Sequence, residues 1–382
     1  MQKNAYSDRR FMFIYLNTGN GHIAQAKVLK GAMLEYASEV HIDLQNGFSE
    51  HEHFFHKILE LLYGVSCNYL HGAWPIIYGL GEHRSFQKLV RYSVKFQSLG
   101  RLKKVLREKK ITDVVSFHFA LSPSIADAIK SVNKNIRLTV IATDPFTGPQ
   151  AWFYNRRLDY IVSSEEFKKF AEENCHIPND HIRVMPFLLN KKYRVPVSHE
   201  EMMKLREEYG FSKEKRLVLL AGGGEGLPGT LKIINQCILH KANFSVAVVC
   251  GRNKALQKSL TLLAKANSRL DLHVFGFVDF MDSLIKMSDL VVSKAGASTI
   301  MEIVSLKKPL IINTYIHGQE LGNMRFVVKN GGGFFIRHSA DIYRRINRIF
   351  ASEEAYQACL ARAQGLSIDT DVSKIVKYLL EK

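Results

Sequence analysis

The chain has 382 residues, of which 46% are hydrophobic and 23% charged, a composition typical of a globular protein with about two domains. Its five cysteines form no Cys-x-x-Cys pair and its first ten residues are polar, so we expect a reducing, cytoplasmic setting without a secretory leader. Lys and Arg (53) exceed Asp and Glu (36), giving a net charge of +17. This charge predicts an anionic partner: nucleic acid, a phosphorylated ligand or an acidic membrane surface.

The N-terminal half alternates short apolar strands with helical stretches, which predicts a parallel sheet covered by helices on both faces. The strands are predicted at residues 11–16, 40–43, 114–117, 138–142 and 160–163, and the first helix at residues 24–36.

Two polar residues follow strands of this half. His22 ends the loop Gly19-Asn-Gly-His22, and an imidazole with an ordinary pKa near 6.5 is a workable general base. The alternative is a structural hydrogen bond at a helix start. Asp144 follows the strand at 138–142, where it is predicted to orient His22, to contact the acceptor or to act as the base. An Asx turn before Pro145 is the alternative for Asp144.

Residues 84–110 contain ten basic residues and one acid, Glu108, interleaved with apolar side chains, a pattern that predicts a basic amphipathic helix. Residues 61–81 contain no Asp, Glu, Lys or Arg, but their glycines and proline argue against a spanning helix. We therefore predict that residues 54–110 form a monotopic membrane-facing patch, and the alternative is a solvated helix over buried core. Its expected membrane contacts are Trp74, Arg84, Lys88, Arg91 and Lys95.

The pattern restarts after residue 190, with strands predicted at 217–221, 246–250, 273–275, 290–293 and 310–313. The first of these runs into Gly222-Gly-Gly-Glu-Gly226, which lacks the Lys-Ser/Thr of a nucleoside-triphosphate loop and the spacing of a dinucleotide fingerprint. Glycines permit close approach of backbone to phosphate, and a tight turn is the alternative. The prediction is an α/β chain of two Rossmann-like halves whose glycine loops face each other across a cleft.

A helix is predicted to open at Gly296 to Ser298, directly after the strand at 290–293. Its free N–H groups suit phosphate, and Glu302, one turn later, suits the hydroxyls of a ribose. The alternative is that Ser298 is a helix cap and Glu302 a solvated glutamate.

We predict three regions: an acceptor and membrane-facing domain at 1–190, a UDP-sugar-binding domain at 191–366, and a C-terminal helix within 367–382 that packs back on the first domain. Asp369-Thr-Asp371 superficially matches a metal motif of other glycosyltransferases, but a helix cap explains it and no metal site is expected.

An ordered series of motifs resembles the monogalactosyldiacylglycerol synthase and processive diacylglycerol glucosyltransferase family, relatives of the transferase that acts on lipid I. The motifs are Gly222-Gly-Gly-Glu-Gly226, Gly276-Phe-Val278, Lys294-Ala-Gly-Ala-Ser-Thr-Ile-Met-Glu302, Gly318-Gln-Glu-Leu-Gly-Asn323 and Asn330-Gly-Gly-Gly333. The resemblance implies a GT-B fold, an inverting mechanism, a nucleotide-sugar donor and no bound metal or other cofactor.

The same resemblance assigns roles residue by residue. The backbone of Phe277 and Val278 is expected to hold uracil, Gly296 to Ser298 the phosphates, Glu302 the ribose, and Gln319 with Glu320 the hexose. The full expected set comprises a catalytic pair, His22 and Asp144; an acceptor loop, Gly19, Asn20 and Gly21; and a donor set of Gly222, Gly223, Gly224, Glu225, Phe277, Val278, Gly296, Ala297, Ser298, Glu302, Gln319, Glu320 and Asn323.

Two departures from the family pattern affect the acceptor side. Asn20-Gly21 stands where two glycines usually precede the histidine, and Pro149-Gln150 replaces a histidine frequently found before Trp152. The sequence therefore defines the donor class more closely than the acceptor.

The predicted function is transfer of galactose or glucose from UDP-galactose or UDP-glucose to diacylglycerol, by a peripheral enzyme on the cytoplasmic face of the cell membrane. A UDP-N-acetylglucosamine transferase with a polyprenyl-linked acceptor and a sugar epimerase are alternatives within the fold. A basic nucleic-acid-binding protein is the alternative from another class, but no nucleic-acid module is apparent and no nucleic-acid partner is expected.

Overall fold

The computed structural model describes residues 6–16, 20–47 and 84–381. Gly19 and Trp74 lie outside the described residues, as do the side chains of Asn20, Arg84 and Lys88. The chain divides into two compact units. The first comprises Met1–Asn190, Ile316–Gln319 and Asp369–Lys382, and the second comprises Lys191–Tyr315 and Glu320–Ile368. The predicted cleft between the two halves stays a prediction.

The first unit contains a six-stranded parallel sheet in the order β2-β1-β3-β4-β5-β6. Its strands are β1 (Arg10–Tyr15), β2 (His41–Asn46), β3 (Asp113–Ser116), β4 (Arg137–Ile141), β5 (Asp159–Val162) and β6 (Ile182–Val184). Its helices are α1 (Asn20–Tyr36), α2 (Arg84–Glu108), α3 (Ser122–Val132), α4 (Glu165–Cys175) and, from the end of the chain, α13 (Ser373–Glu381).

Successive side chains of β1 enter two different cores, because a strand presents alternate residues to opposite faces. Phe11 and Phe13 pack with Leu29 of α1 and with the C-terminal helix α13. Met12 and Ile14 pack on the other face with side chains of α2 and α3. The sheet is therefore covered on both sides, as its apolar strands predict.

Arg9 ties the C-terminal helix to this sheet. Its guanidinium donates to the carbonyl oxygens of Leu379 (2.8 Å) and Leu380 (3.0 Å) and forms an ion pair with the buried Asp113. Because these carbonyls lie at the helix C-terminus, the cation also complements the helix dipole.

The second unit contains another six-stranded parallel sheet, in the order β12-β11-β10-β7-β8-β9. Its strands are β7 (Leu217–Ala221), β8 (Ser245–Val249), β9 (Leu272–Phe275), β10 (Leu290–Lys294), β11 (Leu310–Thr314) and β12 (Gly333–Phe335). Its helices are α5 (His199–Glu208), α6 (Thr230–Leu239), α7 (Lys254–Ala266), α8 (Met281–Met287), α9 (Ala297–Ser305), α10 (Leu321–Lys329), α11 (Ser339–Ile349) and α12 (Glu353–Gly365).

The predicted α/β class is confirmed, with local differences. Helix α1 begins at Asn20 rather than residue 24, so His22 lies in its first turn. The sequence pattern missed β6 and β12, which have three residues each and are too short to show a period.

Each sheet has a point at which the strand order reverses. In the first unit, β1 lies between β2 and β3, and in the second unit β7 lies between β10 and β8. In open α/β sheets, ligands bind at the carboxyl ends of the strands next to such a switch point. The loops after β1 and β3, and those after β7 and β10, are therefore the places to examine for a site.

Candidate active site

His22 lies at the switch point of the first unit, where residues that follow β3 and β4 fix its ring. The ring nitrogen Nδ1 lies 2.9 Å from the carbonyl oxygen of Phe117 and 2.8 Å from Oγ1 of Thr143. Gln25, one turn further along α1, donates to the carbonyl oxygen of Thr143 at 3.2 Å. Thr143, rather than its neighbour Asp144, supplies the side-chain contact to His22.

These contacts define which nitrogen of His22 is basic. A carbonyl oxygen only accepts hydrogen bonds, so Nδ1 must carry the hydrogen that faces Phe117. The lone pair of the neutral ring is then on Nε2. Burial lowers the pKa of His22 to about 4. The ring is therefore neutral at physiological pH and can accept a proton at Nε2.

Aromatic rings surround His22. The ring of His118 lies 4.6 Å from that of His22 and stacks on Phe119, and Trp152 lies 6.5 Å from His22. Burial, with His22 as a second cause, lowers the pKa of His118 well below its usual value. Two neutral imidazoles thus lie side by side in an apolar environment.

Asp144 is buried and bound by two side chains of its own unit. Oδ2 accepts from the indole nitrogen of Trp152 at 2.8 Å, and Oδ1 accepts from the side-chain amide of Gln319 at 3.1 Å. Thr147 donates to the backbone carbonyl of Gln319 at 3.0 Å. The carboxylate of Asp144 therefore fixes Gln319, a residue that the sequence assigned to the hexose.

In the second unit, the glycine loop follows β7 at the switch point. A Cβ on Gly222 would lie 2.4 Å from Cα of Leu227, so no larger residue fits there. Gly223 has φ +84°, a conformation that favours glycine. The side chain of Glu225 pairs with Arg252 at 3.1 Å, which places a second charged residue beside the loop.

Strand β10 pairs with β7 on one side and with β11 on the other, and its register with β11 changes between Ser293 and Lys294. Such bulges re-aim side chains next to active sites. Here Cε of Lys294 lies 3.7 Å from a Cβ built on Gly223 and 3.4 Å from one built on Gly296. The cation thus lies beside both the glycine loop after β7 and Gly296, and its Nζ is 3.0 Å from Oε1 of Glu320.

Helix α9 begins beside this lysine. Its N-cap is Gly296, which makes no side-chain capping bond, so Ser298 is not the cap that the alternative interpretation required. The first N–H groups of an α-helix lack intrahelical partners, and here no side chain of the N-cap replaces them. The uncapped helix start at Gly296, the glycine loop after β7 and a lysine form a surface suited to a diphosphate.

Glu302 lies one turn into α9. Burial raises the pKa of its carboxyl group to about 8, the nearby Lys192 opposes this rise, and Asp282 adds to it. Lys192 lies 2.7 Å from Asp282 and donates to the carbonyl oxygen of Asp279 at 2.9 Å. Glu302 is partly buried, in contrast to the fully solvated glutamate of the alternative interpretation.

The remaining donor residues fall into two groups. Glu320 and Asn323 are buried, and the amide of Asn323 donates to the carbonyl oxygen of Ala295 at 2.8 Å, which fixes helix α10 against the start of α9. Phe277 and Val278 follow β9, where the ring of Phe277 is 62% exposed.

Helix α2 carries the other predicted surface. Its residues Val94, Leu102 and Leu106 are buried, whereas Tyr92 and Phe96 are 71% and 83% exposed. Of the four predicted membrane cations, the two with described side chains are partly engaged within the protein: Lys95 pairs with Asp127 at 2.6 Å, and Arg91 lies over the ring of Tyr154. Among the described residues, no helix combines the length and the apolar composition that a membrane span requires.

Two family models match successive parts of the chain. Residues 22–185 match the model of monogalactosyldiacylglycerol (MGDG) synthase, and residues 218–358 match the glycosyltransferase family 28 C-terminal domain. The chain is a glycosyltransferase whose N-terminal half is similar to MGDG synthase.

A curated relative covers nearly the whole of this glycosyltransferase. The processive diacylglycerol beta-glucosyltransferase of Bacillus cytotoxicus is 25% identical to it over 98% of the chain and 94% of that protein.

Two solved structures share its fold. MurG of Acinetobacter baumannii aligns with a TM-score of 0.63 at 12% identity over 98% of this chain and all of that one. The UDP-GlcNAc 2-epimerase of Neisseria meningitidis, solved with UDP-GlcNAc, aligns with a TM-score of 0.63 at 14% identity over the same shares of both chains. The predicted GT-B fold is confirmed.

Sequence reasoning assigned no role to four residues of these arrangements: Thr143, His118, Lys294 and Arg252. Lys294 is the first residue of the motif Lys294 to Glu302, and a cation next to a predicted phosphate-binding helix start indicates a phosphate contact. The others act through contacts between segments distant in sequence, such as His22 with Thr143 across 121 positions.

Proposed function

We propose that this glycosyltransferase moves a hexose, galactose or glucose, from a UDP-sugar to the hydroxyl of diacylglycerol, with inversion at the anomeric carbon. The observation that carries the donor half is the uncapped start of helix α9, with Lys294 close both to it and to the glycine loop after β7. Backbone N–H groups and a cation stabilise the charge that develops on a departing diphosphate.

The same surface supports the other donor contacts. Glu302 is one turn from the phosphate position and accepts the ribose hydroxyls, while the exposed segment at Phe277 and Val278 receives the uracil. Gln319, held by Asp144, binds the hexose, and we assign Asp144 to positioning this amide rather than to proton transfer. Glu320 accepts a hydrogen bond from Lys294 and so orients it, and the same carboxylate accepts hydrogen bonds from the sugar hydroxyls.

His22 is the proposed base. Its Nε2 lone pair accepts the proton of the acceptor hydroxyl as that oxygen forms its bond to the anomeric carbon, and the bond from that carbon to the UDP oxygen breaks. The bonding electrons leave with UDP. Because the reaction occurs on the face of the sugar opposite the leaving group, a single displacement inverts the configuration.

Diacylglycerol is favoured as acceptor by the family match and by helix α2. Tyr92 and Phe96 lie one helical turn apart and project apolar surface into solvent on a helix rich in Lys and Arg. This arrangement is typical of helices that lie in a membrane interface. A peripheral enzyme on the cytoplasmic face of the membrane would meet both the lipid and soluble UDP-sugars.

A panel of donors and acceptors tests this proposal. The protein is incubated with UDP-glucose, UDP-galactose or UDP-N-acetylglucosamine, each with vesicles that contain either diacylglycerol or a polyprenyl-linked sugar, and products are analysed by mass spectrometry. We expect a hexosyl diacylglycerol from at least one UDP-hexose. Transfer of N-acetylglucosamine to the polyprenyl acceptor alone would overturn the proposal.

A further inference from the structure

A cavity of about 720 Å³ lies in the second unit, away from the donor loops. It is enclosed by α5, the segment before β7, the turn after α9, and α12. Arg216 directly precedes β7, and Lys308 lies two residues before β11. The cavity therefore lies at the amino edge of the sheet, whereas the donor loops follow the carboxyl ends of β7 and β10.

Positive charge dominates the lining of this cavity. Two carboxylates, Glu214 and Glu353, lie among the lining residues. Six basic side chains line it: Arg206, Lys213, Lys215, Arg216, Lys307 and Lys308.

The two arginines are neutralised within the protein. Arg206 is buried and donates to Asp289 at 2.6 Å and to the carbonyl oxygen of Met287. Arg216 pairs with Asp289 and Glu353 and lies over the ring of Tyr356 at 3.8 Å. These charges belong to the fold, because removing Asp289 would leave the buried Arg206 without an ionic partner.

Lys307 and Lys308 differ, because their ammonium groups are bound to carbonyl oxygens. Lys307 donates to Leu366, and Lys308 donates to Lys286 at 2.6 Å. A carbonyl accepts a hydrogen bond without supplying a compensating charge. An ammonium group has three N–H donors, and Lys308 also contacts Sδ of Met202 at 3.8 Å, so in these contacts Lys308 uses two donors and Lys307 uses one.

Burial lowers the pKa of Lys308 to about 8. The negative charge of Asp289 raises this pKa, whereas the positive charge of Arg206 lowers it. The protein thus holds a desolvated cation at the wall of a roomy cavity. An anion bound there would stabilise the charged form of Lys308.

We propose that this cavity binds a phosphate-bearing anion, with Lys307 and Lys308 as the principal contacts. Lysine binds phosphate as a compact point charge, and the volume is that of ordinary small-molecule sites. Tyr356 and Leu360 provide an apolar wall for the part of the ligand that carries no charge. This inference is independent of the function proposed for the donor loops.

The first test is calorimetric titration of the full chain with pyrophosphate in the presence of saturating UDP, which occupies the donor site. We expect binding by the unmodified protein and roughly tenfold weaker binding after Lys307→Gln or Lys308→Gln, a loss equivalent to about 1.4 kcal/mol. Lys308→Arg should retain binding. Lys258→Gln, on the exposed face of α7, is the matched control and should leave the affinity unchanged.

Binding that disappears in saturating UDP would overturn the proposal, as would Lys307→Gln binding pyrophosphate like the unmodified protein. Lys307 is partly exposed, so this variant keeps the test decisive if Lys308→Gln fails to fold.

A second arm distinguishes the source of the phosphate. Vesicles of phosphatidylcholine with and without phosphatidylglycerol are compared for binding to the unmodified protein and to Lys307→Gln. A loss of binding in the variant that is specific to phosphatidylglycerol supports a lipid headgroup as ligand. Equal vesicle binding by both proteins, with pyrophosphate binding lost in the variant, supports a soluble phosphate ligand.

Discussion

Burial changes the acid–base behaviour of the two central side chains in opposite directions. It lowers the pKa of His22 to about 4 and raises that of Glu302 to about 8, because in each case the charged form loses solvation. His22 is therefore neutral, and Glu302 carries a proton, in the unliganded protein near pH 7. Each state has a measurable consequence.

Replacing His22 should chiefly lower the chemical rate. For His22→Ala we expect kcat to fall by about 10²- to 10⁴-fold, the usual contribution of a general base, with little change in KM for the UDP-hexose. Steady-state kinetics check this, with the exposed His41→Ala as control. Turnover near that of the unmodified enzyme would remove His22 as the base.

Donor affinity should rise with pH through the pKa of Glu302. Ribose hydroxyls donate to the ionised carboxylate, and the ionised fraction grows as pH increases past 8. From the fraction ionised, we expect UDP-hexose to bind about tenfold or more tightly at pH 8.5 than at pH 6.5.

Calorimetry across this pH range measures the effect, and Glu302→Gln should bind more weakly at pH 8.5 and show no such dependence. The diphosphate of a UDP-hexose has no protonation step in this range, and the comparison with Glu302→Gln separates the carboxyl group from other groups of the protein that titrate there. A constant affinity in the unmodified enzyme would show that Glu302 does not bind the ribose as a carboxylate.

At the scale of single residues, local sequence patterns predict where a helix begins but not the contacts or protonation states of its side chains. The motif from Lys294 to Glu302 predicted a helix that opens at Gly296 to Ser298, and this helix start is confirmed because its sequence signal is local. The role of Lys294 depends on the register change at the end of β10, and the pKa of Glu302 depends on burial beneath Lys192 and Tyr193. Neither follows from sequence spacing.

At the scale of elements, helix α2 combines two faces that its composition does not separate. The run of basic residues predicted an amphipathic helix, but the orientation follows from packing against α3: Val94 and Leu102 point inward, and Tyr92 and Phe96 point outward. The core and membrane interpretations thus describe different faces of the same helix.

Removing the two exposed rings should weaken membrane attachment. We expect Tyr92→Ser and Phe96→Ser each to reduce binding to anionic vesicles by roughly tenfold, since burying an aromatic side chain in an apolar phase contributes about 1.5–3 kcal/mol. Vesicle flotation measures the loss. Leu262→Ser, which removes a 60% exposed side chain of α7, is the matched control. Equal flotation of all variants would show that α2 does not contact the membrane.

At the scale of the whole molecule, each of the two units contains a parallel sheet, and in each sheet the strand order reverses at the strand that comes first in the sequence. Alternating strands and helices predicted two such halves. The strand orders were not predicted, because the pairing of β1 with β3 and of β7 with β10 joins distant segments. Those pairings place His22 beside Phe117, and the Gly222 loop beside Lys294.

The central claim is an inverting transfer of hexose from a UDP-sugar to diacylglycerol, and the structure of the lipid product tests it most directly. The enzyme is incubated with diacylglycerol vesicles and a UDP-α-hexose, and the purified lipid is examined by NMR. We expect one hexose joined to the glycerol hydroxyl, with a β-anomeric proton. A hexosyl lipid of α-configuration, or free hexose and UDP without a glycolipid, would contradict it.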